Sequence, residues 1–137
     1  MLPEERPPSG PRGRTGAEAE AAAAEHLVAR GWINLARNVR VGRDEIDLVA
    51  RDPDQALGVV EVRARSGPAF GTGVESVDAR KVARLYRAAA ALRRGGHPAL
   101  GLGALTHPLR VDLVTLRRLT DGAWRVEAHI RGLEQPA

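Results

Sequence analysis

Asp44-Glu45-Ile46-Asp47-Leu48-Val49-Ala50, a turn through Arg51-Asp52-Pro53-Asp54-Gln55, and then Gly58-Val59-Val60-Glu61-Val62-Arg63-Ala64-Arg65 make up the stretch that decides the fold. Two apolar runs carry acids inside them. Side chains alternate along a strand, so Glu45, Asp47 and Val49 share one face, with Ile46, Leu48 and Ala50 on the other. In the second run Val59, Glu61 and Arg63 face together, opposed by Val60 and Val62. Paired as a hairpin, the runs bring Asp47 and Glu61 together with Arg63 beside them. Burying a carboxylate is expensive unless a cation or hydrogen bonds compensate. Two carboxylates and a basic group on neighbouring strands are the makings of a divalent-cation site.

Working outward, Gly16 to Arg30 reads as an Ala-rich helix ended by Gly31, with Ala24, Leu27 and Val28 as its buried stripe. Glu20 falls on that stripe and Glu25 does not. Glu20 has two accounts: favourable charge near a helix N-terminus, or an acid aimed at the carboxylate site. Trp32 to Val41 is a strand with Ile33, Leu35, Val39 and Val41 alternating. Short connections join it to the two acidic strands as an antiparallel meander. Ser66 to Gly73 is a glycine-bearing loop around Phe70, without a phosphate-loop or dinucleotide fingerprint.

Asp78 caps a second helix to about Arg94, with Val82, Leu85, Tyr86, Ala89 and Leu92 apolar. Arg80, Lys81, Arg84, Arg87, Arg93 and Arg94 make the rest of it basic, either a solvated face or one that meets phosphates. Gly95 to Pro108 is a loop. Leu109 to Leu116 is a strand with Arg110 and Asp112 on one face. An Asp121-Gly122 turn leads to a last strand, Trp124 to Ile130. The order helix, three strands, helix, two strands predicts one α/β domain over residues 15–131, between disordered tails at 1–14 and 132–137.

The 137 residues suffice for one core. With no cysteine, thiolate zinc sites, disulfides and thiol catalysis are excluded. The net charge of +4 permits nucleic-acid binding without demanding it. Of the 21 basic residues only Lys81 is lysine, a strong arginine bias. Two tryptophans, one tyrosine and one phenylalanine are too few for a base-stacking platform or a carbohydrate cleft. His26, His97, His107 and His129 are dispersed, which argues against a histidine metal site. No apolar run reaches membrane-spanning length and the N-terminus lacks a signal-peptide core, so no membrane and a cytoplasmic location are expected.

Among two-carboxylate chemistries, Mg2+-dependent phosphodiester hydrolysis fits best. Mg2+ takes carboxylate oxygens and keeps several waters. The expected ligands are Asp47, Glu61 and the backbone carbonyl of Val62.

Several motifs in order carry a resemblance: Gly16…Glu20, Leu27-x-x-x-Gly31-Trp32, Arg37-Asn38-x-Arg40, Glu45-Ile46-Asp47-Leu48-Val49-Ala50, Val60-Glu61-Val62-Arg63-x-Arg65, Phe70-Gly71, Val77-Asp78-x-x-Lys81 and Arg110-Val111-Asp112-Leu113-Val114. The chain resembles the YraN family of small bacterial proteins. That family is similar to the restriction-endonuclease-like nucleases with a PD-(D/E)xK site, archaeal Holliday-junction resolvases among them. The resemblance implies a three-layer fold, a central mixed sheet of about five strands flanked by helices. It also implies a catalytic set here of Glu20, Asp47, Glu61 and Arg63. The expected partner is nucleic acid, DNA before RNA, bound along Arg80, Lys81, Arg84 and Arg87; a homodimer is the other partner considered. The expected function is Mg2+-dependent cleavage of DNA, branched DNA included, or else an inactive nucleic-acid-binding module of the same fold. A third reading is a protein–protein adaptor in which Asp47 and Glu61 each pair directly with an arginine.

The family's lysine after the Glu61 position is Arg63 here. Arginine stays protonated and cannot act as a general base, though it can clamp a phosphate oxygen. Asp44 and Ala19 are smaller departures. Lys81 has remained lysine against the arginine bias. If its helix packs over the acidic strands, Lys81 supplies the missing ammonium.

Overall fold

The computed structural model describes residues 10–66, 78–95 and 108–134. Its elements are α1 (Gly10–Ala29), β1 (Ile33–Val41), β2 (Asp44–Arg51), β3 (Leu57–Ser66), α2 (Ala79–Gly95), β4 (Leu109–Arg118) and β5 (Trp124–Ile130). The five strands form one sheet in the order β1-β2-β3-β4-β5. β1, β2 and β3 are antiparallel neighbours, β3 and β4 are parallel, and β4 and β5 are antiparallel. A parallel pair needs a long crossover, and α2 lies within it. The expected mixed sheet flanked by helices is the observed architecture.

Each face of the sheet carries one helix. Leu85, Ala88, Ala89 and Leu92 of α2 pack with Ala36, Val39, Ile46, Val49, Leu57, Val59 and Val111. Ala23, Ala24 and Leu27 of α1 pack with Trp32, Leu48, Ala50, Val60, Val114 and Leu116. Among the described residues no helix is long and apolar enough to cross a membrane.

α1 begins at Gly10, earlier than the expected Gly16 and inside the segment expected as a tail to residue 14. A proline near a helix start is tolerated because first-turn N–H groups lack intrahelical partners. Its end is a Schellman motif: Gly31 has φ 87°, Gly31 N donates to Val28 O and Trp32 N donates to Leu27 O. The buried stripe is Ala19, Glu20, Ala23, Ala24 and Leu27. Val28, expected on it, is 54% exposed, because the stripe is centred nearer Ala23. The expected C-terminal tail also starts differently. Gly132 N donates to Asp112, Leu133 N to Val111 O, and the Tyr86 hydroxyl to Leu133 O at 2.6 Å, so 132–133 are held against the domain.

Two departures from strict alternation position the site. A bulge between Asn34 and Ala36 buries Ala36 and leaves Ile33 exposed, against the expected pattern. Further along, Arg37 pairs with Leu48 and Val39 with Ile46, which sets Asn38 opposite Asp47. Asn38 has φ 52°, a left-handed backbone that asparagine tolerates better than most residues. Leu48 packs under α1, whereas Ile46 packs under α2 with Val49. Ile46 therefore does not share a core with Leu48 and Ala50 as alternation predicts. The two strands change faces together at Asn38 and Asp47.

Candidate functional site

The β2–β3 ladder runs from Arg51–Leu57 to Leu48–Val60 and stops. β3 continues along β4 as far as Ser66, so β2 parts from β3 at Asp47. Asp47 Oδ2 takes the N–H of Val62 at 2.8 Å, bridging the fork. The ladder register places Glu61 beside Asp47, and the two carboxyls share a hydrogen bond. Asp47 is held well above the usual carboxylate range by burial first, then by the charge of Glu61 and that shared hydrogen bond; the Val62 N–H opposes the shift. Two acids this close and this enclosed call for a proton or a cation between them.

Glu61 is buried and carries two cations on one oxygen. Arg63 Nη2 lies 3.2 Å and Lys81 Nζ 3.4 Å from its Oε2. Local structure explains Lys81. Asp78 caps α2, its Oδ1 accepting the Lys81 N–H at 2.9 Å, which fixes Lys81 in the first turn over β3. The ammonium that sequence reasoning looked for in Lys81 is thus at the acid pair.

Glu20 is the third acid, 8% exposed on the inner face of α1. With the Asn38 amide turned toward it, the amide nitrogen donates to both Glu20 oxygens at 2.7 and 2.9 Å. Burial pushes the Glu20 carboxyl up from 4.5 to about 7, with Arg37 and Asn38 resisting and Glu45 and Glu61 adding to the rise. Asp47 in turn feels the Glu20 charge. Glu20, Asp47 and Glu61 thus form one electrostatic unit. Glu45 is exposed and contributes only charge. Among the described residues no three acids or histidines close into a ready-made metal cage.

Other expected site residues are placed as follows. Val62 enters through its N–H rather than its carbonyl. Arg80, Arg84 and Arg87 are exposed on α2, whereas Lys81 is partly enclosed at Glu61. The adaptor reading required an arginine on each acid. Glu61 has Arg63 and Lys81, but Asp47 is bonded to Val62 and Glu61 instead. The Phe70 loop, His97 and His107 lie outside the described residues.

A second polar cluster was missed. Arg110 donates to Asp112 Oδ1 and to Asp52 Oδ2, both at 2.7 Å. Asp112 also meets His129 Nε2 at 2.9 Å and the Gly132 N–H, and Asp52 receives Arg131. The Arg110 and Arg131 guanidinium groups lie 5.4 and 5.9 Å from the Trp32 ring centroid. Burial would raise Asp112, but His129, Arg110 and the Gly132 N–H outweigh it and hold the carboxyl below its ordinary range. Asp112 accepts from every partner and has no oxygen free for a ligand. This cluster ties β2, β4 and the chain after β5 together.

Comparison with known proteins places the chain. The sequence model of the uncharacterised protein family UPF0102 matches residues 19–116. The chain belongs to the UPF0102 family. A UPF0102 protein of Nocardioides sp. is 42% identical over 118 residues, covering 86% of this chain and 89% of that protein. One from Symbiobacterium thermophilum is 42% identical over 113 residues, covering 82% and 89%. One from Sorangium cellulosum is 46% identical over 88 residues, and the chain spans only 60% of its length. The matched span in UPF0102 includes Glu20, Asn38, Asp47, Glu61, Arg63 and Lys81. Among solved structures, Pyrococcus furiosus SfsA in complex with Ca2+ aligns over 88% of this chain and 64% of that one, at 14% identity and a TM-score of 0.40. A likeness of that size carries no argument about this chain.

Proposed function

We propose that this UPF0102 protein is a Mg2+-dependent nuclease that hydrolyses phosphodiester bonds in DNA at the fork between β2 and β3. The observation that carries the reading is the Asp47–Glu61 carboxyl pair, enclosed, hydrogen-bonded together and flanked by Lys81 and Arg63. The pair fits Mg2+ in chemistry. Its donors are hard oxygens, its charge is uncompensated at Asp47, and Mg2+ is commonly held by one or two carboxylates with waters completing the shell. A three-acid cage is not required.

Asp47 and Glu61 would hold the ion, which when bound would polarise the scissile phosphate and make a coordinated water more acidic. Lys81 and Arg63 face the same point and offset the charge that develops on phosphorus. Glu20, through Asn38, fixes the acidic wall behind Asp47. Arg80, Arg84 and Arg87 lie along the exposed side of the helix that carries Lys81, where they would follow a phosphate backbone. Arg63 is not the base in this scheme, since it keeps its proton.

The ion pairs on Glu61 also favour a second reading, a nucleic-acid-binding module without catalysis, because Glu61 is already neutralised by protein cations. One experiment separates the two. Branched and linear DNA are incubated with wild type and Asp47→Ala, with and without Mg2+. The nuclease reading expects Mg2+-dependent cleavage by wild type, lost in the variant. Salt-sensitive binding without cleavage by wild type gives the second reading. Cleavage that survives Asp47→Ala removes the proposed site.

A further inference from the structure

Two cations on one buried carboxylate oxygen have a thermodynamic consequence, which rests on the nuclease reading. We propose that Lys81 and Arg63 are a transferable clamp. They hold Glu61 while no nucleic acid is bound and move to the phosphate when it arrives. Binding of a phosphodiester and binding of a divalent cation at Asp47 and Glu61 are then mutually reinforcing.

Exposure shows which partner moves. The Glu61 side chain is 5% exposed, whereas Lys81 and Arg63 are 29% and 37% exposed. The acid is fixed in β3, while each cation sits on a flexible stem that reaches solvent. Neither donor set is exhausted by Glu61. An ammonium has three donors and a guanidinium five, and Arg63 Nε has no hydrogen-bond partner among the described residues.

Charge gives the direction. One carboxylate with two cations leaves a local excess of positive charge, which repels a metal ion and attracts a phosphate. A phosphodiester that takes up the two cations uncovers Glu61 beside Asp47, and the metal then meets acids instead of cations. The first turn of α2 adds to this. It holds Arg80 and Lys81 and no acid, the reverse of what the helix dipole favours. Pairing with Glu61 offsets that misfit for Lys81 until an anion replaces it.

Linkage requires the coupling to be reciprocal. The test is Ca2+ titration by calorimetry at constant ionic strength, on the full chain alone and saturated with a short DNA duplex, with the duplex alone subtracted. Wild type, Lys81→Met and Lys81→Arg are compared. We expect wild type to bind Ca2+ about 5-fold more tightly or better when DNA is present, the lower end of ordinary allosteric coupling. Lys81→Met should bind Ca2+ more tightly than wild type without DNA and lose most of the enhancement. Lys81→Arg should keep it. A merely structural role for Lys81 would weaken both measurements together and leave their ratio unchanged. Ca2+ binding that is the same with and without DNA, or unaltered by Lys81→Met, overturns the clamp and leaves the metal site standing. Absence of Ca2+ binding in every sample overturns both.

Discussion

Glu20 gives the sharpest prediction about stability. Its carboxyl is pushed from 4.5 to about 7 by burial and by the neighbouring acids. The folded protein therefore holds this proton more tightly than the unfolded chain. The penalty of ionising Glu20 in the fold is absent below the unfolded value and fully felt above the folded one. Stability should fall as pH rises from 4.5 to about 7. At about 1.4 kcal/mol per pKa unit, the shift corresponds to about 3 kcal/mol. Glu20→Gln keeps an acceptor for Asn38 and cannot ionise. Urea unfolding at about pH 5 and about pH 7.5 should show wild type losing about 3 kcal/mol more than the variant across that interval. The variant should be the more stable protein at the higher pH. Asp47, also raised, acts in the same direction in both proteins. Asp52 and Asp112 are held low, so their contributions are lost only as pH falls below the ordinary 3.8, outside the interval. Equal pH dependence in the two proteins would refute the claim that Glu20 is a strained acid of the site.

Three other substitutions probe the frame. Asn38→Ala loses two hydrogen bonds to Glu20 and places a residue with a β-carbon and no compensating bond at φ 52°; a loss of about 2 kcal/mol is expected by urea unfolding, with Asn38→Gly losing less. Arg110→Ala strips a shared cation from Asp52 and Asp112; because Arg131 and His129 remain, the cost should lie near about 3 kcal/mol, the low end for a broken buried pair, read by thermal melting. Gly58→Ala puts a β-carbon 2.9 Å from Trp32 Cζ3, a ring wedged under Arg110 and Arg131, so about 1–3 kcal/mol of overpacking should appear in the same assay.

The acid pair was legible in the sequence because charge inside an apolar strand is a local anomaly. Alternation put Asp47 and Glu61 on facing positions, and the ladder register agrees. Lys81 was legible for a different reason, as the one lysine in an arginine-biased chain. Asn38 was not. Its role depends on a left-handed backbone and a face change shared by two strands, and neither leaves a periodic trace; Ile46 was misplaced for the same cause. Arg110 and Asp112 could be set on one face, but Asp52 lies 58 positions from Arg110 and meets it only through the tertiary fold. Helix ends moved where the backbone, rather than the apolar stripe, decides them, as at Gly10.

The central claim is that Asp47 and Glu61 bind a divalent cation. Mn2+, which takes the same oxygen donors and broadens nearby nuclear resonances, tests it most directly. Titrated into the 15N-labelled full chain, it should broaden the amides of Asp47, Glu61 and Val62 first, and Mg2+ should reverse the effect by competition. Asp47→Asn should abolish that local broadening while the rest of the spectrum is retained. Broadening confined to surface carboxylates such as Asp54 or Asp121, with the Val62 amide untouched at saturating Mn2+, would contradict the account.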